Sequence, residues 1–387
     1  MSTSTTAGNS PGTVTRVAHA GLGAPASAPA TRPLHSLHLP RLALECGQVL
    51  RDVRQAYHLD GVRDAAGTNA VIVLHPLTGT ADAAGDWWSE VIGPGRAIDT
   101  RRYAVIAPNL LGSCHGTCAG DDRAELPPVT TRDQARLVVE LVRALGFRGI
   151  ALVTGGSLGG MVALEVAASF PRLAHRTVAF AAPAAHTAWA IGWNHVQRRA
   201  LATGGDAGLA LAREIAMLSY RSEREFGARF GRLREEDGRF AVQSYLRHHG
   251  DKLERRFTAA AYRALTGAMD AHDVGRAREG VTAALRRVRG LLVGVGVTGD
   301  ALYSEREVQA WTRAADAEYR CISSVHGHDA FLVEQAQVAA IVSEALATPV
   351  PGAGEAGPAG GGYAVAGLVP ASSAPGGQRS CQAQVVA

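Results

Sequence analysis

Leu152-Val153-Thr154-Gly155-Gly156-Ser157-Leu158-Gly159-Gly160-Met161 reads as an apolar strand, a glycine-flanked serine and the start of a helix that continues from Val162 to Phe170. In so sharp a turn the serine takes a strained backbone conformation, so its neighbours must lack bulk. The neighbours that meet this requirement are Gly155, Gly159 and Gly160. The pattern predicts that Ser157 lies at the carboxyl end of a central strand, where a helix N-terminus points at its hydroxyl. The alternative is a glycine-rich turn that contains a serine by chance.

The chain has 387 residues and a net charge of +4, which allows one large domain with tails or two modest domains. Its basic residues are dispersed, so we expect no nucleic-acid partner. No apolar run reaches the length of a membrane span, so we expect no membrane association. Both tails are rich in Ala, Gly, Pro and Ser, and we predict that residues 1–38 and 348–387 are disordered.

The cysteines are few and scattered, at positions 46, 114, 118, 321 and 381. An odd, scattered set favours a reducing compartment over a disulfide framework, and we expect a cytoplasmic protein. Cys114, His115 and Cys118 resemble half of a metal site, but no second ligand pair stands at a suitable spacing, so no metal is predicted. No glycine fingerprint of a dinucleotide site opens the chain, so we expect no cofactor of that kind.

Between the tails, strand and helix patterns alternate. A helix is predicted from Asp133 to Leu145, with Thr131 as its cap, and another from Leu332 to Leu346. A hairpin is predicted from Leu42 to Leu59, and the remaining predicted strands are Ala70–Leu74, Tyr103–Ala107, the strand before Ser157, Thr177–Ala181, Leu291–Val295 and Glu318–Ile322. Residues 184–287 have helical patterns throughout.

Parallel strands joined by crossover helices predict an α/β, doubly wound, mostly parallel sheet. Together with the Gly-x-Ser-x-Gly turn, this favours an α/β-hydrolase fold. Residues 39–183 and 288–347 would form the two parts of its core, and residues 184–287 a helical lid over the strand ends. A ligand site is expected beneath that lid.

A serine hydroxyl becomes a nucleophile only when a base takes its proton, and in this fold the acid and the histidine follow the serine in that order. Asp300 follows the strand Leu291–Val295, and His328 follows the next strand, so they are the predicted acid and base. His326 competes with His328 but lies farther from the following helix. The alternatives to Asp300 are Glu305 and Glu307, and a second interpretation makes Asp300 the cap of a helix that begins near Ser304.

An oxyanion hole needs two backbone N–H groups. One is expected from Leu158, just after the nucleophile, and the other from the loop His75-Pro76-Leu77-Thr78-Gly79. Since Pro76 has no N–H, Leu77 is the predicted second donor.

Taken together, these motifs resemble the homoserine O-acetyltransferase family, over about residues 42–346. The most specific pieces are Ile92-Gly93-Pro94-Gly95-Arg96-Ala97-Ile98-Asp99-Thr100 and Gly327-His328-Asp329-Ala330-Phe331-Leu332. The other matching pieces are His75–Gly79, Trp87-Trp88, Asn109-Leu110-Leu111-Gly112-Ser113-Cys114, Gly155–Met161, Tyr220-Arg221-Ser222 and Ala268-Met269-Asp270.

The resemblance implies a ping-pong transfer in which Ser157 takes an acetyl group from acetyl-CoA as co-substrate and His328, oriented by Asp300, activates the hydroxyl of L-homoserine or L-serine. By similarity Arg198 would bind the carboxylate of the acceptor and Asp329 its ammonium group. Without the family match, Arg198 reads as a surface arginine on a lid helix. The product would feed sulfur assimilation toward methionine or cysteine, or a specialised pathway, and relatives are commonly homodimers.

Two features depart from the family pattern. Pro76 stands where relatives usually have a small residue, and its bulk leads us to expect that the shorter L-serine is accepted beside L-homoserine. The lid is shortened around residues 202–206, which leaves its geometry and any dimer contact open.

Other functions remain open from sequence alone. An esterase would use the same triad with water as acceptor, although Arg198 and Asp329 suit a zwitterionic acceptor better. Succinyl-CoA is an alternative donor, since no residue decides the acyl length. A catalytically inactive binding protein is disfavoured by the presence of Ser157, Asp300 and His328.

Overall fold

The computed structural model describes residues 32–119 and 126–350. The strands are β1 (His35–Ala43), β2 (Val49–Asp60), β3 (Ala70–Leu74), β4 (Ala104–Pro108), β5 (Cys118–Ala119), β6 (Ile150–Gly156), β7 (Arg176–Phe180), β8 (Leu291–Val297) and β9 (Glu318–Ile322). The α-helices are α1 (Thr131–Ala144), α2 (Leu158–Ser169), α3 (Ala188–Tyr220), α4 (Glu223–Arg229), α5 (Ala241–Glu254), α6 (Ala259–Asp270), α7 (Val281–Arg286), α8 (Glu305–Ala315), α9 (Ala330–Val333) and α10 (Gln335–Ala347).

The sheet has the order β1-β2-β4-β3-β6-β7-β8-β9, with the short β5 paired to β2. Every neighbouring pair from β4 to β9 along this order is parallel, whereas β2 pairs antiparallel with β1, β4 and β5. The predicted doubly wound, mostly parallel sheet is therefore confirmed. The strand that precedes Ser157, β6, lies in its middle, where both neighbours are parallel strands.

Both faces of the central sheet are covered, as the apolar strand sequences require. In β3, Ile72 and Leu74 pack into one apolar cluster, while Val71 and Val73 pack into the other. This alternation is the period of two expected of a strand. The two clusters hold the strand ends rigidly, and loops that leave those ends inherit a fixed position.

Among the boundaries that differ from the sequence analysis, two bear on the extent of the core and on a helix cap. Residues 1–38 cannot all be a tail, because β1 begins at His35 and Leu37 is 1% exposed. Thr130, rather than Thr131, caps α1: its side chain accepts a hydrogen bond from Asp133 N, and the Asp133 side chain accepts one from the Thr130 backbone. Residues 1–31 and most of the predicted C-terminal tail lie outside the described residues.

The expected helical lid comprises α3 to α7, between β7 and β8. The α3 segment is 33 residues long but is not straight. A Cβ on Gly208 would lie 2.4 Å from the carbonyl oxygen of Ala200, whereas eight residues of straight helix span about 12 Å. The segment therefore folds back on itself between Ala200 and Gly208.

The end of α3 is fastened to the loop that precedes α9. A Cβ on Gly327, whose φ is +65°, would lie 2.9 Å from the Ser222 nitrogen, and the Ser222 hydroxyl donates to the carbonyl oxygen of Val325. Lid and core thus meet at the loop that carries His328.

No single described helix is long and apolar enough to cross a membrane. One pair of helices, Gly327–Val333 and Gln335–Ala347, reaches the required length and composition only when the two are joined across a 72° bend.

Candidate active site

Ser157 occupies the sharp turn between β6 and α2 that its sequence predicts. Its φ of 56° and ψ of −122° form a strained conformation for a residue with a side chain. A Cβ added to Gly155 would lie 2.5 Å from the Leu74 carbonyl oxygen, and a Cβ added to Gly159 would lie 2.0 Å from the same oxygen. The turn is therefore pressed against the end of β3, and only glycine fits at either position. The residue itself is 5% exposed.

Asp300 and His328 meet as an acid and base should. His328 Nδ1 donates a 2.8 Å hydrogen bond to Asp300 Oδ2, and both side chains are buried. The other carboxylate oxygen of Asp300 accepts the backbone N–H groups of Leu302 and Tyr303 at 2.8 and 2.9 Å. These two bonds fix the carboxylate in the loop after β8. Ser304 caps α8, so Asp300 is not the cap that the alternative interpretation allowed.

The imidazole of His328 is surrounded by aromatic rings. The ring centroids of Tyr303, Tyr220 and Phe331 lie 5.2, 5.5 and 5.8 Å from its own. Burial alone would lower the pKa of His328, but the charge and hydrogen bond of Asp300 and the charge of Asp329 outweigh it and raise the pKa above its usual value. A paired carboxylate thus stabilises the imidazolium that forms when the base takes a proton.

The second ring nitrogen of His328, Nε2, is buried and has no hydrogen-bond partner among the described residues. Phe331 connects it with the serine turn, since a Cβ on Gly156 would lie 2.3 Å from the Phe331 ring. No hydrogen bond joins Ser157 Oγ to Nε2 within residues 32–119 and 126–350. Such bonds often tighten only when substrate is bound, so a free Nε2 beside the turn fits a base that waits for the serine proton.

The two backbone N–H groups predicted for the oxyanion hole, those of Leu77 and Leu158, are not used by the hydrogen bonds of the described residues. Leu158 is the first residue of α2, and its N–H has no partner within the helix. In the part of the chain that the structure describes, the N–H of Leu77 makes no hydrogen bond, although the residue is 3% exposed. A buried N–H without a partner is unfavourable, which is understandable if a bound group is to accept it.

Arg198 is held by a lid carboxylate instead of lying free. It donates to Asp270, which also accepts a 2.8 Å hydrogen bond from Asn194 and lies 3.3 Å from His186 Nδ1. Burial raises the pKa of Asp270, but hydrogen bonds from these neighbours outweigh it and lower the pKa. The Nη1 atom of Arg198 is buried without a partner among the described residues. His186 Nε2 is 2.9 Å from Tyr303 Oη, so this lid cluster reaches the rings around His328.

Asp329 follows His328 in the chain, and its carboxylate already has a partner. Its Oδ2 is 3.2 Å from Nε of Arg221 at the end of α3. Arg221 is also 3.3 Å from Glu225, so the guanidinium is shared between two carboxylates. Asp329 is 9% exposed. An incoming ammonium group would therefore join an existing ion pair.

The sequence analysis missed Arg213. Its guanidinium lies 5.3 Å from the ring centroid of Tyr220, whose ring in turn contacts His328. No acidic side chain pairs with Arg213 in the described structure, and the residue is partly buried. A signal was present: Arg213 precedes Tyr220 by seven residues, which places both on one helix face.

The alternative candidates have other contacts. His326 Nδ1 lies 3.3 Å from Glu225, away from Asp300. Glu307 completes the cap of α8, and Glu305 lies 3.3 Å from the Tyr319 hydroxyl. Residues 32–119 and 126–350 contain no group of three or more His, Cys, Asp or Glu arranged to hold a metal.

Known proteins resemble this chain in sequence. Residues 69–208 match the family model for the alpha/beta hydrolase fold. A homoserine O-acetyltransferase from Thermobifida fusca is 42% identical over 347 residues, which are 79% of this chain and 91% of that protein. The chain belongs to the homoserine O-acetyltransferase family. Another homoserine O-acetyltransferase, from Thermus thermophilus, is 40% identical over 83% of this chain and 94% of its own length.

Solved structures agree on the fold. The homoserine O-acetyltransferase of Bacillus anthracis has a TM-score of 0.76 at 20% identity, over 82% of this chain and 98% of its own. Esterase E22 has a TM-score of 0.75 at 18% identity, over 81% of this chain and 99% of its own. At these identities the likeness shows the fold alone. The α/β-hydrolase fold and the membership of the homoserine O-acetyltransferase family that the motifs implied are thus both confirmed.

Proposed function

We propose that this protein transfers an acetyl group from acetyl-CoA to the side-chain hydroxyl of L-homoserine, and also of L-serine, through an acetylated Ser157. The observation that carries the proposal is the buried pair His328–Asp300, whose free Nε2 lies beside the strained serine turn. Membership of the homoserine O-acetyltransferase family supports the choice of acceptor.

In the first half-reaction, Ser157 Oγ attacks the thioester carbonyl while His328 Nε2 takes its proton. The carbonyl oxygen becomes negatively charged and accepts hydrogen bonds from the N–H groups of Leu77 and Leu158. The C–S bond then breaks, and the proton on His328 passes to the departing thiolate of CoA. An acetyl ester of Ser157 remains.

In the second half-reaction, the hydroxyl of the amino acid enters, and His328 removes its proton as the oxygen attacks the acetyl ester. The same N–H pair stabilises the second tetrahedral intermediate, and His328 returns the proton to Ser157. Asp300 keeps Nδ1 protonated throughout, because its Oδ2 accepts from that nitrogen at 2.8 Å. Nothing in this scheme requires a cofactor besides acetyl-CoA as co-substrate.

For the carboxylate of the acceptor we propose Arg213, with Arg198 as the alternative. Arg213 has no acidic partner in the described structure and lies against Tyr220, which contacts His328. Arg198 is already neutralised by Asp270, although its buried Nη1 has no described partner. An arginine that has no carboxylate partner gains more binding free energy from the carboxylate of a substrate than an arginine that is already paired.

For the ammonium group we retain Asp329. It adjoins His328 in sequence, and an ammonium group bound there would join its ion pair with Arg221, whose guanidinium Glu225 also shares. A homodimer and a cytoplasmic location also remain proposals. The exposed apolar side chains of Trp189 and Val196 on α3 support a dimer contact through the lid.

The deciding experiment measures release of the CoA thiol from acetyl-CoA in parallel with L-homoserine, with L-serine and without acceptor. Acceptor-dependent release is expected with both amino acids, and none above background with Ser157→Ala. Equal release with and without acceptor would make water the acceptor and the protein an esterase. A parallel series with succinyl-CoA is expected to be slower; faster release from it would replace the proposed donor.

Pro76 provides the test of acceptor choice. It lies in the oxyanion loop, and its ring adds bulk where a longer acceptor side chain would extend. Pro76→Ala is expected to change the serine-to-homoserine ratio of kcat/KM in favour of homoserine by about 10-fold, since one methylene decides about 1–3 kcal/mol. An unchanged ratio would show that Pro76 does not set the preference.

A further inference from the structure

The peptide group between Pro76 and Leu77 is held by two contacts to its carbonyl oxygen. His75 Nδ1 lies 2.8 Å from the Pro76 carbonyl oxygen, and the Gly79 N–H donates to the same oxygen at 2.9 Å. No described peptide bond is cis, so the carbonyl and the N–H of this peptide point in opposite directions. Fixing the carbonyl of Pro76 therefore also fixes the direction of the Leu77 N–H.

The neighbours of His75 determine which ring nitrogen carries the hydrogen. A carbonyl oxygen only accepts, so Nδ1 must be the donor to Pro76. The backbone N–H of Leu110 donates to Nε2 at 3.0 Å, so that nitrogen must be unprotonated. Burial lowers the pKa of His75 to about 4, which keeps the ring neutral near pH 7. One neutral tautomer satisfies both contacts.

The rest of the loop is also anchored to the end of β4. The N–H of Ala81 donates a 2.7 Å hydrogen bond to Asn109, the residue before Leu110. His75 is fully buried, and a Cβ on Gly79 would lie 2.9 Å from both the His75 Cβ and the Pro76 Cδ. The loop is thus rigid, and it leaves β3 at the point where the serine turn presses on that strand. The buried N–H of Leu77, which has no described partner, is held beside that turn.

We propose that His75 is a positioning residue of the oxyanion hole: as the Nδ1–H tautomer it holds the Pro76 carbonyl and so directs the Leu77 N–H at the acyl oxygen. The inference rests on the proposed function only in requiring that Ser157 forms an acyl-enzyme. It does not depend on which donor or which acceptor the protein uses.

Two substitutions separate the two contacts of the ring. In His75→Asn the amide nitrogen takes the place of Nδ1 and can still donate to Pro76, but the contact with Leu110 is lost. In His75→Gln the longer side chain places its carbonyl oxygen near Nε2, where it can accept from Leu110, but no donor remains for Pro76. A purely structural histidine would show no such asymmetry in rate.

The measurement is the burst of p-nitrophenol from p-nitrophenyl acetate without any acceptor. The burst amplitude measures the number of competent sites, and the rate constant of the burst measures acetylation of Ser157. Partial misfolding therefore lowers the amplitude but leaves the rate constant unchanged. Loss of one oxyanion donor lowers kcat by about 100- to 1000-fold. A donor that is present but misdirected should cause a smaller loss. We expect His75→Gln to lower the rate constant about 10- to 100-fold with an unchanged KM, and His75→Asn to stay within about threefold of the unaltered protein.

Equal rate constants for both variants, whether both normal or both reduced, would overturn the positioning role. So would a larger loss in His75→Asn than in His75→Gln, since that order would make the Leu110 contact decisive. Failure of the unaltered protein to give any burst, with CoA release still dependent on acceptor, would remove the acyl-enzyme and the inference together. If the burst pattern holds but no amino acid stimulates CoA release, the proposed function fails and the role of His75 stands.

Discussion

Ser157, Asp300 and His328 stand on loops that leave parallel strands, whereas Arg198 and Arg213 stand on a helical segment that folds back on itself. The core loops leave strands of one hydrogen-bonded sheet, in which β8 pairs with β7 and β9 and the edge strand β9 pairs with β8, so the side chains of Asp300 and His328 meet at hydrogen-bond distance. The lid arginines are not positioned by hydrogen-bonded strands. Their surroundings depend on which half of α3 carries them and on acids far away in sequence.

The difference has an electrostatic side. The core pair is self-contained, because Asp300 accepts from His328 and from its own loop. In the lid, Asp270 neutralises Arg198, while Arg213 has no acidic partner in the described residues. In the proposed mechanism the core supplies the reacting groups, and the lid supplies charge for the acceptor that enters. Variants that alter one side should leave the other largely intact.

The largest expected effect separates the two lid arginines. Arg213→Met should raise the KM for L-homoserine about 10- to 100-fold, because a charge-assisted bond to the carboxylate is lost. The acetylation burst with p-nitrophenyl acetate, which involves no amino acid, should be unchanged. Steady-state kinetics with varied acceptor measure the first quantity, and stopped-flow absorbance the second.

Arg198→Met is the matched variant for this prediction. It should leave the KM of the acceptor near its original value but lower the free energy of unfolding, since partly buried Asp270 loses its cation. The reverse result, a raised KM in Arg198→Met and none in Arg213→Met, would restore the assignment made from the family resemblance.

A smaller effect tests how the lid acts on the core base. The negative charge of Asp329 raises the pKa of His328 because it favours the protonated imidazole. In Asp329→Asn that charge is gone and Arg221 faces the site with only Glu225 as partner, which also disfavours protonation. Since His328 must be neutral to accept a proton, the acidic limb of the acetylation rate should move to lower pH.

The profile is best measured by the p-nitrophenyl acetate burst, since the absence of an amine excludes any role of Asp329 in acceptor binding. Asp237→Asn is a suitable control, because Asp237 is exposed and pairs with Arg239 on the lid. An unshifted limb in Asp329→Asn, or the same shift in the control, would contradict the prediction.

Sequence was sufficient where local pattern and strand order determine position. The apolar run Ala70–Leu74 and the run Glu318–Ile322 became strands with the predicted bounds. The contact between Asp300 and His328 was predictable because each follows a parallel strand, and the carboxyl ends of parallel strands lie at one edge of the sheet. His326 failed as a candidate because a shift of two residues directs it to Glu225.

Sequence was insufficient where a partner lies far along the chain. Asp270 is 72 residues from Arg198, and no local pattern predicts that pairing. Arg221 meets Asp329 only because the end of α3 packs on the histidine loop. The start of β1 was missed for a different reason: Leu37 and Leu39 alternate with polar residues, but Pro40 interrupts this strand pattern before Leu42.

The smallest expected effect concerns glycines, which the core and the lid use differently. Gly267 lies in α6, is exposed, and a Cβ there would meet no atom within 4 Å. Gly267→Ala should therefore raise the free energy of unfolding by about 0.5–1 kcal/mol, because alanine restricts the unfolded chain without strain in the helix.

Gly159→Ala is the core counterpart: its Cβ would lie 2.0 Å from the Leu74 carbonyl oxygen, so it should lower that free energy by about 1–3 kcal/mol and disturb the serine turn. Urea titration followed by circular dichroism measures both, and a stabilised Gly159→Ala would mean that the turn is not pressed against β3. A destabilised Gly267→Ala would instead mean that α6 is packed more tightly than its exposure indicates, and that the lid, like the core, is fixed by close contact.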